Sequence, residues 1–386
     1  MSQQNCLTTP EQIRRLAFIS SQAFSLHNFR GSLIRSLTDK GVQVYALAPD
    51  YDEESRGKVR ALGAQPLDCS MSRAGMNPVR DIIDLCRLAR QLRALKPDAT
   101  FAYFIKPVIY GTLAAALAGI PHSFAMIEGA GYVFNEHIGQ TCERRLLRRF
   151  VGRLYKSALR CAHLVFLLNR DDRQLFVESG MVSAEKVILL NGIGVDLADF
   201  SPEPPQYEPL CFIMIARLLR EKGVCEFVSA ARIVKSKYPG VRFLLLGATD
   251  ENPGSISQNE INCWVTEKLI ECPGHVKDVR PWIKKASVFV LPSYREGMPR
   301  STQEAMAMAR PVITTEAVGC KDTVEEGVNG FKVPVRDPEA LAKIMLYFVE
   351  NPEIIANMGA KSREMAEAKY DASLINAEIL SKIGVV

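Results

Sequence analysis

Two carboxylates and two cations stand out in the C-terminal half of the chain. Glu296 and Glu304 lie eight positions apart in "REGMPRSTQEAMAMARP", which runs from Arg295 to Pro311. Arg217 and Lys222 lie in "ARLLREKG", just ahead of Gly223. Carboxylates accept charge-assisted hydrogen bonds from hydroxyl groups. An arginine and a lysine at a glycine-containing turn suit a diphosphate, because guanidinium grips bidentately and ammonium acts as a point charge. One extended ligand would occupy all four groups: a nucleotide sugar. Its ribose diol would meet Glu304, its diphosphate the cations, and its transferred sugar Glu296. A capped surface helix with solvated glutamates, or a solvated basic turn, would use the same residues. Neither stretch decides the matter alone.

The elements that must hold these residues can be read from apolar periodicity. Buried strands are expected at Arg15–Ser20, Val42–Ala48, Ala99–Ile105, His122–Ile127 and His163–Leu168. Amphipathic stretches separate them, such as Pro78–Leu95 with Ile82, Ile83, Leu85, Leu88 and Leu92 on its apolar side. The scheme restarts with strands at Leu210–Ala216, Val241–Gly247, Ser287–Pro292 and Pro311–Thr315. Strand–helix alternation predicts parallel sheets covered on both faces. "NGIGVDLADFSPEPPQYEP" interrupts it with glycines and then four prolines, which marks a linker. The expected architecture is α/β: two doubly wound Rossmann-like domains facing a cleft. The first covers 1–195 and binds the acceptor. The second covers 196–365 and binds the nucleotide sugar. A C-terminal helix at 366–386 packs back on the first domain. Ligands of such sheets bind beyond the carboxyl ends of the strands. Arg217 sits at one such end. Pro299 suits the start of a helix over Arg300–Ala309, whose free N–H groups favour phosphate.

At 386 residues, with 47% hydrophobic and 24% charged side chains, each domain can build its own core. The ten cysteines form no CxxC pair and read as free thiols of a reducing compartment. The opening "MSQQNCLTTPEQIRR" lacks the apolar core of a signal peptide, and no run reaches membrane-span length. A cytoplasmic protein is expected. The net charge of +5 is too small to imply nucleic acid, and no aromatic-interleaved basic module supports it.

"ARLLREKG" and the long stretch from "GHVKDVRPWIKKASVFVLPSYREGMPRSTQEAMAMA" through "VPVRDPEAL" resemble the retaining glycosyltransferases of family 4, which have the glycosyltransferase B fold. The resemblance implies that Arg217 and Lys222 hold the donor diphosphate and that Glu296 contacts the donor sugar. Gly297, Met298 and Pro299 would bind sugar and phosphates through the backbone, and Glu304 the ribose. Gly247, Val276 and Lys277 would frame the base. In the first half, "SFAMIEGAGYVF" and "IKPVIYGTLAAALAGIP" resemble bacterial enzymes that extend polyprenyl-diphosphate-linked saccharides for O-antigens, capsules or protein glycans. Several of these transfer N-acetylgalactosamine from a UDP-sugar. Two departures stand out. The loop "SSQAFSLHNFRG" lacks the family's paired glycines, and Glu128 stands where many members carry a catalytic histidine.

The implied reaction is glycosyl transfer with retention, in which the departing diphosphate takes the acceptor's proton. Arg217, Lys222 and the helix starting near Arg300 would stabilise its charge. There is no DxD motif near the donor loops, so neither metal nor cofactor is expected. Arg30, Arg73 and Lys106 are candidates for the acceptor diphosphate. Gly129, Gly131 and Tyr132, in "EGAGY", are candidates for the acceptor saccharide. The stretch 143–160 carries seven Lys or Arg against one Glu, with Leu146, Leu147, Phe150, Val151, Leu154 and Tyr155 at helical spacing. It suits an anionic membrane surface, on the inner face of the cell membrane. Pattern alone favours a helix packed into its own domain, and a lipid-linked acceptor tips the choice to the membrane. A sugar-nucleotide epimerase and a non-catalytic nucleotide-sugar-binding protein are the competing readings. The first lacks a clear acid–base set, and the intact Arg217, Lys222, Glu296 and Glu304 disfavour the second.

Overall fold

The apolar runs form two parallel sheets in the computed structural model, which describes residues 13–71, 77–134, 142–250, 252 and 254–385. Contacts divide these residues into two units. One holds 13–134, 142–190 and 372–385, and the other 191–371.

The first unit runs β1 (Arg15–Ile19), α1 (Ala23–Asn28), α2 (Gly31–Asp39), β2 (Gln43–Ala48), α3 (Glu53–Ala61), β3 (Gln65–Asp68) and α4 (Pro78–Leu95). It continues with β4 (Ala99–Tyr103), a π-helical turn at Pro107–Gly111, α5 (Thr112–Ala118), β5 (His122–Ile127), α6 (Cys142–Cys161), β6 (Leu164–Leu167), α7 (Arg170–Glu178) and β7 (Val187–Leu189). Its sheet has the order β3-β2-β1-β4-β5-β6-β7, parallel throughout, and reverses direction between β1 and β4.

The second unit runs β8 (Cys211–Ile215), α8 (Val224–Lys237), β9 (Arg242–Leu246), α9 (Gln258–Thr266), β10 (Glu271–Gly274), α10 (Arg280–Lys284) and β11 (Val288–Leu291). Then come α11 (Arg300–Ala307), β12 (Val312–Thr315), β13 (Gly330–Val333), α12 (Pro338–Glu350) and α13 (Ile354–Lys369). Its order is β10-β9-β8-β11-β12-β13, reversing between β8 and β11. Phe212, Phe243 and Phe289 are buried at its centre, and each contributes about 1.5–3 kcal/mol by leaving water. The chain ends with α14 (Ala372–Ile383), which packs against α2 of the first unit.

The helical chain from Pro338 to Ile383 is broken twice. Pro352, which has no N–H, follows the end of α12, and Tyr370 ends α13.

Helix α4 has the expected bounds, with Asn77 capping the N–H of Arg80 and Pro78 in its first turn. Its expected apolar side is wrong over the first two turns. Ile82 and Ile83 are exposed, whereas Asp81 and Asp84 are buried. Lys106 donates to Asp81 at 2.9 Å, Tyr110 donates to it at 3.1 Å, and Ser70 donates to Asp84. From Leu88 onward the usual pattern holds.

In α6 the expected stripe splits in the same way. Val151, Tyr155, Ala158 and Leu159 pack into the unit, while Leu146 and Phe150 stay in water. No helix among the described residues is long and apolar enough to cross a membrane.

Candidate functional site

β8 and β11 are neighbours on either side of the point where strand order reverses, so the loops leaving their carboxyl ends diverge there. That edge is the usual ligand position of a doubly wound sheet. The turn after β8 carries Arg217 to Gly223, and the loop after β11 carries Ser293 to Pro299.

The two segments are stitched together. Tyr294 donates its N–H to the Glu221 carbonyl at 2.9 Å, and Ser293 donates its hydroxyl to the same oxygen at 3.2 Å. The Tyr294 hydroxyl reaches Glu226 at 2.6 Å. Gly223 has φ +79°, and a Cβ there would lie 2.1 Å from the Pro292 carbonyl oxygen. Only glycine permits that approach. A second support comes from the turn after β12. The Glu296 N–H donates to the Val318 carbonyl at 2.9 Å, and a Cβ on Gly319 would lie 2.4 Å from the Glu296 carbonyl oxygen.

The charged side chains are already paired within this unit. Lys222 donates to Glu296 at 2.5 Å, and both side chains are mostly buried, at 16% and 14% exposure. Arg300 donates through Nε to Glu304 at 2.8 Å. Burial pushes the Glu304 carboxyl above its usual range, and the Arg300 guanidinium opposes that shift. Arg217 meets Asp250 at 3.2 Å and remains half-exposed.

Gly297, Met298 and Pro299 connect the two acidic positions. Met298 leans on the core, and Pro299 stands at the N-cap of α11 rather than in its first turn. α11 starts at Arg300 and ends as Ala309 turns left-handed at φ +60°. Gly247 ends β9 against the Ala216 carbonyl. Val276 and Lys277 follow β10, the valine half-buried against the core and the lysine exposed. Among the described residues no three His, Cys, Asp or Glu side chains gather as a metal site.

The first unit has its own reversal, between β1 and β4. Arg30, at the N-cap of α2, is almost fully buried there. It lies 4.6 Å over the Tyr103 ring, donates to Met126 Sδ at 3.1 Å, and forms an ion pair with Glu128. The Tyr103 hydroxyl continues the chain to the Ser25 hydroxyl at 2.8 Å, which in turn meets the Ser20 hydroxyl at 2.9 Å. Arg30 and Glu128 are therefore one unit of charge, not two separate surface groups. Phe104 has φ +71°, a strained value for a residue with a side chain, one step past β4. Lys106 follows it and is bound to Asp81, with little of its side chain exposed. Gly129 and Gly131 both have positive φ, and Ile105 Cδ1 would lie 2.6 Å from a Cβ on Gly131. Tyr132 begins a short 3₁₀ turn. Arg73 lies outside the described residues.

Two family comparisons match consecutive parts of the chain: residues 27–192 match Glycosyl transferase 4-like domain, and residues 209–351 match Glycosyl transferases group 1. This chain belongs to the family 4 glycosyltransferases. A similar relative is the N,N'-diacetylbacillosaminyl-diphospho-undecaprenol alpha-1,3-N-acetylgalactosaminyltransferase of Campylobacter jejuni. It is 28% identical over 375 residues, covering 94% of this chain and 96% of the relative. The UDP-Gal:alpha-D-GlcNAc-diphosphoundecaprenol alpha-1,3-galactosyltransferase of Escherichia coli is 24% identical over 69% of this chain and 70% of its own length. Among solved structures, HepE of Anabaena in complex with UDP and glucose superposes with a TM-score of 0.76. The identity is 16%, covering 97% of this chain and all of the other, and it identifies the glycosyltransferase B fold.

Sequence reasoning about this glycosyltransferase missed Arg300, Asp250 and the Val318–Gly319 support. The Arg300–Glu304 pair was visible as a helical i, i+4 spacing. The other two were not, because their partners are 33 and about 20 residues away and meet only when strands pair.

Proposed function

We propose that this glycosyltransferase transfers a sugar, with N-acetylgalactosamine as the first candidate, from a UDP-sugar to a polyprenyl-diphosphate-linked saccharide, with retention at the anomeric carbon. Both relatives named above carry diphospho-undecaprenol saccharides in their names, which supports the acceptor class. The observation that carries the reading is the alternation of cation and carboxylate on one sheet edge, Lys222 with Glu296 and Arg300 with Glu304.

In this reading Lys222 and Arg217 turn to the donor diphosphate, and Glu296 is released to the sugar hydroxyls. Glu304 accepts from the ribose. The bond from the anomeric carbon to the β-phosphate oxygen breaks as the acceptor oxygen bonds to the same face. The acceptor proton passes to the departing diphosphate. The cations and the free N–H groups of α11 supply the charge that a metal would otherwise bring. The Arg30–Glu128 pair belongs to the acceptor side, where Glu128 replaces the family histidine. α6 brings the enzyme to anionic headgroups on the inner face of the cell membrane.

The test is transfer of radiolabelled sugar from a panel of UDP-sugars to undecaprenyl-diphosphate-linked saccharide, with and without EDTA. An α-linked product and undiminished turnover in EDTA are expected. A β-linked product removes retention. A loss restored by Mg²⁺ removes metal independence. No transfer from any UDP-sugar removes the donor class.

Arg300→Leu tests the ribose role of Glu304. Without the guanidinium, burial and, more weakly, the Asp278 carboxylate act on the carboxyl unopposed, and its pKa rises further. Protonation then begins at higher pH, so donor affinity is lost earlier as pH falls. KM for the donor should rise about ten-fold near neutrality with kcat little changed, since a hydrogen bond to a charged group is worth about 1.5–3 kcal/mol. A KM–pH profile parallel to that of the unaltered enzyme would contradict it.

A further inference from the structure

We infer that the first turns of α4 form the apolar half of a membrane-docking patch whose basic half is the start of α6. This rests on the proposed lipid-linked acceptor and extends the surface beyond α6.

The first observation is the inverted polarity of α4. Its two acids point inward and are satisfied there, Asp81 by Lys106 and Tyr110, Asp84 by Ser70. Its apolar side chains point outward: Val79 is 69% exposed, Ile82 59% and Ile83 46%. Spacing of i, i+3, i+4 places the three on one face. Folding alone favours the opposite arrangement, because a buried carboxylate is costly and an exposed isoleucine gains nothing.

The second observation is position. α4 packs beside α5 and its π-helical lead-in, and α6 packs on the other side of the same two segments. Helices that follow parallel strands begin at the carboxyl edge of the sheet. The exposed starts of α4 and α6 and the residue Ile105, just past β4, therefore share one edge. Leu146 is 67% exposed, Phe150 48% and Ile105 37%.

The third observation is charge. The exposed charged side chains described on the first two turns of these helices are Arg80, Arg145 and Arg149. Apolar tips among arginines, with Asp81 and Asp84 turned inward, complement an anionic bilayer. Its headgroups take the guanidinium groups, and its acyl boundary takes the isoleucines.

The experiment uses the full chain and vesicles of phosphatidylglycerol and phosphatidylcholine. In Ile82→Trp, indole emission should shift to the blue on vesicle addition and be quenched by brominated acyl chains. The variant V79S/I82S/I83S should partition at least ten-fold more weakly, because three side chains no longer leave water. Its turnover on a short-chain, water-soluble acceptor should be unchanged. High salt should release the unaltered enzyme. If the enzyme sediments with vesicles but the indole at 82 stays in water and the triple serine variant binds normally, α6 docks alone and the inference fails. If the unaltered enzyme does not bind anionic vesicles at low salt, the membrane reading falls with it. Loss of a solution dimer in the triple variant would instead assign the face to self-association and overturn the proposal.

Discussion

Lys222→Ala is expected to lower turnover by about 10²–10³-fold while the protein stays folded. The ammonium lies 2.5 Å from Glu296 on an edge where both side chains are mostly buried. A fixed donor facing charge that develops in a transition state is worth about 2.7–4 kcal/mol. The ammonium would be that donor for the departing diphosphate. Removing it also leaves the Glu296 carboxylate without its cation, which would repel an anionic donor. The double variant Lys222→Ala/Glu296→Gln separates the two effects. Neutralising the orphaned carboxylate should restore part of the UDP affinity, measured by calorimetry, but not the turnover. Near-full activity of Lys222→Ala in the radiolabelled transfer assay would remove the ammonium from the chemistry. Normal UDP affinity with lost turnover would place it in the chemical step alone.

Arg310→Met is expected to destabilise the second unit by about 3–5 kcal/mol and leave its site chemistry intact in the folded fraction. Arg310 is fully buried with no carboxylate bound to its guanidinium. It donates instead to main-chain carbonyls: Ile283 at 3.0 Å, Glu203 at 2.6 Å, Met308 at 2.9 Å and Lys284 at 3.3 Å. Burial lowers its pKa to about 10, so it stays charged at neutral pH. This one side chain ties the proline-rich segment before β8 to α10 and to the end of α11. Methionine fills similar volume but supplies no donor. Each carbonyl left unpaired costs about 1–3 kcal/mol, partly recovered where water enters. The unfolding midpoint of this unit should fall on the order of 10 °C. Limited proteolysis should cut first within 201–209. A midpoint within 2 °C of the unaltered protein would show that water replaces the guanidinium without loss.

The central strands were legible because each is a run of apolar residues buried on both faces. β1, β2, β4, β5 and β6 were all predicted, as were β8, β9, β11 and β12. The four strands the sequence did not reveal are β3, β7, β10 and β13, and these are the four sheet edges. An edge strand is paired on one side only. Gln65–Asp68 and Glu271–Gly274 contain exposed polar residues, glycine or proline, and take strand form because a central neighbour offers hydrogen bonds.

The same division runs through the site. Residue types and spacing were enough to select Arg217, Lys222, Glu296 and Glu304, because carboxylates, cations and helix starts have a chemistry that local sequence expresses. Tertiary structure alone decided that Lys222, 74 residues away in the chain, holds Glu296. It also decided that Arg30 and Glu128 form one buried pair, and that Ile82 and Ile83 face water while Asp81 faces Lys106. Periodicity says that a helix has two faces. Only the groups that arrive from distant parts of the chain determine which face is inside.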